Sequence, residues 1–115
     1  MALAGGCARG GDRVETGRWA IVSIGPQPVA AQGWWVDSEG GRIVGGMDGC
    51  NAWRYKNEAG PVIVSDGQEC PPDAKRAGYW KVITENRAFR PRSPRETTLC
   101  SGNLCMSLRR EPAAT

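Results

Sequence analysis

Five cysteines, at positions 7, 50, 70, 100 and 105, carry the clearest capacity for chemistry in this chain. Cys100-Ser101-Gly102-Asn103-Leu104-Cys105 reads as two strand ends around a Gly-Asn turn, and cysteines facing each other across such a turn meet the short Cβ separation of a disulfide. Cys50 and Cys70, twenty positions apart, are then left as a second bridge, closing a loop worth about 3 kcal/mol in chain-entropy terms. Other pairings among the four stay open, as do a zinc site of four thiolates and a set of buried reduced thiols. Zinc fits the spacing poorly, because structural sites use two short Cys-Cys knuckles and only one short interval occurs here. Two disulfides would place the protein in an oxidising compartment.

The remaining inventory argues against catalysis. Histidine is absent, and with it the commonest general base, the commonest metal ligand and every Ser-His or Cys-His nucleophile pair. Asp37, Glu39, Asp48, Glu58, Asp66, Glu69, Asp73, Glu85 and Glu96 mostly stand in turns, and no two form an evident acid/base dyad. The expectation is a protein that is not an enzyme and needs no cofactor and no metal. Net charge is +3, with the excess in Arg87, Arg90, Arg92, Arg95, Arg109 and Arg110. That patch suits phosphates or anionic lipid heads, against the plainer reading of a solvated face. Aromatic residues are not interleaved with it as base stacking requires, so no nucleic acid is expected.

The elements that would position these residues are mostly strands. Glycine supplies 16 of 115 residues, about twice its usual share, which favours turns and strands over helices. Strand patterns run through Trp19–Ile24, Trp34–Val36, Arg42–Val44, Trp53–Tyr55, Pro61–Ser65, Thr97–Cys100 and Leu104–Leu108. Turns fall at Gly25-Pro26-Gln27-Pro28, Ser38-Glu39-Gly40-Gly41 and Asn57-Glu58-Ala59-Gly60. One helix starts at Pro71-Pro72-Asp73, and Ala77, Trp80, Ile83 and Thr84 recur at its spacing, so Trp80 and Ile83 should face the sheet. Phe89–Pro94 reads as an extended linker. The fold class is α+β: a small antiparallel sheet or partly closed barrel of about seven short strands with one packed helix. Residues 17–110 form the domain, 1–16 a tether and 111–115 a frayed tail. No run approaches the 18 apolar residues of a membrane span.

In that frame Gly17-Arg18-Trp19, the hairpin Gly41-Arg42-Ile43-Val44-Gly45, the turn Gly49-Cys50-Asn51 and the later Glu69-Cys70-Pro71 resemble, in order and type, the META domain of HslJ-like bacterial envelope proteins. The resemblance covers roughly residues 17–110. Asp66-Gly67-Gln68 departs from the Thr-Arg-Met often found before the second cysteine, Tyr79-Trp80 is bulkier than the pattern, and Cys100 with Cys105 is an addition. Leu3-Ala4-Gly5-Gly6-Cys7 resembles the end of a lipoprotein signal, with Cys7 the lipidation position. Ala8 after it implies the outer membrane under the sorting rule of such lipoproteins.

The resemblance implies a non-catalytic protein of the periplasmic side of the envelope, outer-membrane anchored, linked to envelope stress or secretion. Its partners would be the membrane, through the Cys7 anchor, and an envelope protein or peptide. Asn51 is expected to fix the turn after Cys50. Trp34 and Trp35 are adjacent in a strand and point to opposite faces, so one belongs to the core and the other offers a contact. Two alternatives are a small-molecule carrier, since Gly17-Arg18-Trp19 also fits the Gly-x-Trp of lipocalins, and a periplasmic enzyme inhibitor presenting Pro91–Pro94.

Overall fold

A computed structural model describes residues 16–56, 60–64, 67 and 69–111. The tether, the proposed lipidation position Cys7, most of the tail, and Glu58, Asp66 and Gln68 lie outside the described residues. Eight strands form one antiparallel sheet: β1 (Gly17–Ile24), β2 (Gln27–Pro28), β3 (Trp35–Glu39), β4 (Arg42–Met47), β5 (Ala52–Tyr55), β6 (Pro61–Ile63), β7 (Glu96–Ser101) and β8 (Leu104–Arg110). The order across the sheet is β6-β5-β4-β3-β1-β8-β7, with β2 paired to the end of β1. One helix, α1 (Ala74–Thr84), packs against it. The fold class is the α+β sheet-plus-helix expected.

Alternation decides which side chains enter the core. Trp19 and Ile21 point inward from β1, as do Val36 from β3, Trp53 from β5, Leu99 from β7, and Met106 and Leu108 from β8. A bulge between Ile21 and Ser23 shifts the phase of β1, so that Ile24 rather than Ser23 is buried. An extra residue of this kind flips the faces beyond it and sharpens strand twist. Gly25-Pro26, read as part of a four-residue turn, instead joins β1 to the short strand β2.

The helix begins where its cap requires. Asp73 is the N-cap, and its carboxylate accepts from the backbone N–H of Lys75 at 2.7 Å and of Arg76 at 3.4 Å. These donors hold the Asp73 pKa below the usual carboxylate range. The buried helix face is Gly78, Tyr79, Val82 and Ile83; of the expected stripe Ile83 is buried and Trp80 packs half-buried against the core, while Ala77 and Thr84 are exposed. The reason is close approach at Gly78, where an added Cβ would stand 3.0 Å from Ile24 and 3.3 Å from Leu104.

The sheet does not close on itself; residues 85–89 span the gap between β4 and β7. Arg87 O accepts from Ile43 N at 2.9 Å, and Phe89 N donates to Gly41 O at 2.8 Å. On the other side, Asn86 Nδ2 donates to Cys100 O at 3.0 Å and Ser101 donates to Glu85. Phe89 is fully buried and meets Trp19 edge-on at 5.1 Å. The segment read as a linker therefore begins with a core residue, because an aromatic ring of this size stabilises the fold more by burial than an extended connector needs.

Candidate functional site

The Gly-Cys-Asn turn joins β4 to β5, and one carboxylate organises it. Asp48 is buried, and its Oδ1 accepts from Cys50 N at 3.0 Å and Asn51 N at 2.8 Å, while Oδ2 accepts from Trp80 Nε1 at 2.9 Å. Asp48 thus holds the turn as an Asx-type turn former. Asn51 takes part as well: its carbonyl accepts from Asp48 N at 3.2 Å, and its side chain lies over the disulfide, with Nδ2 3.3 Å from Cys70 Sγ and 3.7 Å from Cys50 Sγ. Cys50 is bonded to Cys70, and Cys100 to Cys105, the latter a directly opposed pair on β7 and β8. The turn is consequently tied to the helix region twice, through Cys70 just before the cap and through Trp80 on α1.

Around this turn stands an aromatic cluster. Trp53 meets Tyr55 at 5.2 Å, Trp80 at 4.7 Å and Tyr79 at 6.4 Å, and Trp34 meets Tyr79 at 5.8 Å. Tyr79 is the polar hub: its hydroxyl accepts from Trp53 Nε1 at 2.9 Å and donates to Trp35 O at 2.8 Å. Burial drives its pKa far above the ordinary phenol value. The glycines of the run Gly45–Gly49 exist for proximity. A Cβ at Gly46 would overlap Tyr79 Oη and the Trp35 carbonyl, and one at Gly49 would overlap the Trp34 indole. The hydrogen bonds of Asp48 and Tyr79 orient the turn backbone and the surrounding rings.

Trp34 and Trp35 do face opposite ways. Trp34 is buried in the core beside Tyr79 rather than exposed as a contact, and it precedes β3 instead of lying within it. Trp35 is half-buried beneath the Arg18 guanidinium, 4.1 Å from the ring centroid. Arg18 is in turn held by Asp37 through Nε at 2.8 Å and a second contact at 3.1 Å, a pairing that raises the arginine pKa.

The exposed apolar surface lies elsewhere, on edge strand β6 and the residue after it. Val62, Ile63 and Val64 are 41%, 46% and 53% exposed. Sequence reading finds the strand but not its exposure, since a short aliphatic run looks the same at a sheet edge as in a buried strand. Val64 N donates to Ala52 O at 3.0 Å and Lys56 N to Gly60 O at 3.0 Å, so even-numbered residues bond to β5. By antiparallel alternation, Ile63 N–H and C=O and the Pro61 C=O point away from the sheet. Surface clefts lie away from this edge: one of about 390 Å³ between Ile24, Pro26, Gly78 and Leu104, and one of about 330 Å³ beside Arg92 and Arg109. The interior itself is filled by Trp19, Trp53, Tyr79 and Phe89. No family model, no curated protein and no solved structure matches the chain.

Proposed function

We propose that this protein is a non-catalytic interaction module of the META/HslJ-like type on the periplasmic side of a bacterial envelope, anchored to the outer membrane through Cys7. It captures an extended segment of an envelope protein along β6. The observation that carries this reading is the row Val62-Ile63-Val64, the large aliphatic residues left exposed among the described residues, with the main-chain groups of Ile63 directed away from β5 beside them. A strand added there gains main-chain hydrogen bonds for affinity and alternate side-chain contacts for selectivity. The two disulfides and the lattice around Tyr79 support a rigid platform suited to an oxidising compartment.

The binding test is selection of peptides from a random displayed library, followed by amide shift mapping on the full chain. Extended apolar peptides should perturb the β5 and β6 amides, and Ile63→Pro, which deletes the outward N–H, should abolish the effect. Shifts centred away from β6 would sink the reading. The compartment is tested by a non-reducing peptide map of protein from its natural host, where an acyl mass on Cys7 is expected and free thiols at all five cysteines would refute it.

A further inference from the structure

The geometry points to a phosphate-binding site on the outer face of β1, β7 and β8, separate from the β6 edge. A cleft of about 330 Å³ lies there, lined by Arg92, Ser93, Thr98, Ser107 and Arg109, with Val22 on its floor. Its volume falls at the lower end of small-molecule sites. Thr98 and Ser107 are directly opposed across the β7–β8 pair, as are Glu96 and Arg109 one step along the same face. The hydroxyls of Thr98 and Ser107 therefore stand side by side on the floor, next to the Arg109 guanidinium.

The opposite wall is a loop held in shape by its own hydrogen bonds. Arg92 N donates to Thr97 Oγ1 at 3.1 Å, while Ser93 Oγ accepts from Glu96 N at 3.0 Å and donates to Glu96 O at 2.9 Å. Thr97 and Ser93 are thus spent on the loop, which fixes where the Arg92 side chain starts. Neither Arg92 nor Arg109 makes a side-chain hydrogen bond or ion pair among the described residues. Two guanidinium forks and two hydroxyls converge on one cleft. Glu96 also lines it and offsets one of the two positive charges. A phosphate monoester fits this donor set, because each fork matches two of its oxygens. A carboxylate, with two oxygens, would leave one wall unserved.

The test uses the full chain with Cys7→Ser, so that no acyl group can attach. Inorganic phosphate is titrated while amide shifts are followed, and the same protein is sedimented with phosphatidylcholine vesicles with and without phosphatidic acid. Shifts should concentrate in residues 92–98 and 107–109. Arg92→Gln and Arg109→Gln should each weaken binding roughly tenfold, and Glu96→Gln should tighten it. Sedimentation only with phosphatidic acid would identify a lipid headgroup as the source; phosphate shifts without sedimentation would identify a soluble phosphate. Shifts spread over all the arginines, or binding indifferent to both Arg variants, would overturn the site and reduce it to a diffusely basic surface. Because all three positions are exposed at the surface, loss of binding can be read against an unchanged melting temperature.

Discussion

Replacing Tyr79 with phenylalanine removes one oxygen from the centre of the protein and leaves the ring where it is. The ring contacts to Trp34, Trp53 and Trp80, at 5.8, 6.4 and 5.5 Å, are available to phenylalanine as well. What is lost is the acceptor for Trp53 Nε1 and the donor for Trp35 O. Tyr79 and Trp53 are 0% and 1% exposed, so water does not replace the lost partner. An orphaned buried donor or acceptor costs about 1–3 kcal/mol, and two of them give about 3 kcal/mol when the carbonyl relaxes partly. For a domain of this size that corresponds to a fall of roughly 15 °C in melting temperature. The assay is urea unfolding followed by tryptophan fluorescence, with Tyr55→Phe as control. Tyr55 also packs edge-on against Trp53, but it is half-buried and should change stability by less than about 0.5 kcal/mol. A Tyr79→Phe protein within about 1 kcal/mol of the parent, with an unchanged urea slope, would refute the hydroxyl as hub of the lattice.

Gly46→Ala should destabilise by about 3 kcal/mol or more, at the upper end of overpacking costs, because the new Cβ meets the Tyr79 hydroxyl and a strand carbonyl; calorimetry checks it, and a neutral effect would show that β4 can shift. Removing Cys50–Cys70 by paired serine substitution should cost about 3 kcal/mol and removing Cys100–Cys105 about 2 kcal/mol, following their loop lengths; the reverse order in denaturant melts would refute a chain-entropy origin. Asp73→Asn addresses pH. The carboxylate pKa is lowered in the folded state, so its contribution is present above the ordinary carboxylate pKa of about 4 and is lost as pH falls through the lowered value. Melting temperatures of parent and variant should therefore differ at neutral pH and converge in acid, and a gap that persists in acid contradicts the capping role.

The strands were legible because β-branched and aromatic residues alternate between clear turn signals, as in Trp19-Ala20-Ile21 and Thr97-Thr98-Leu99. The helix was legible in position but not in phase. Gly78 reads as a weak point in a helix, yet here it is the point of closest approach, and that moves the buried stripe to Tyr79, Val82 and Ile83. Trp80 faces the sheet as expected, packed on Trp53 at 4.7 Å, but stays half-buried because its Nε1 reaches the Asp48 carboxylate. Asp48 is legible as a turn carboxylate but not as the residue that holds the turn; its position two and three residues before the N–H groups it accepts from is the available signal. Phe89 was hidden by the prolines after it. At Gly78 and Phe89 a long-range contact overrides the local preference, whereas the Asp48 turn is local.

The two ends of the sheet are treated differently, and that contrast bears on function. At the β7 end, Asn86 binds the Cys100 carbonyl and Ser101 binds Glu85, so connecting residues cover part of the edge. At the β6 end the aliphatic row stays exposed, although such edges are ordinarily blunted by charge, proline or a covering loop. Pro61 blunts only the first position. If the row is kept for a partner, Ile63→Lys should change stability by less than about 0.5 kcal/mol, as expected for a surface position, while abolishing capture of the selected peptides. Ile63 does stand opposite Trp53, so the competing account is that it shields the aromatic cluster. That account predicts a loss above about 1 kcal/mol with altered tryptophan emission, and Val62→Lys, opposite Arg54 on the other face, separates the two. Loss of binding in both lysine variants with native stability in both supports the partner; destabilisation confined to Ile63→Lys, with binding intact in Val62→Lys, assigns the row to the fold.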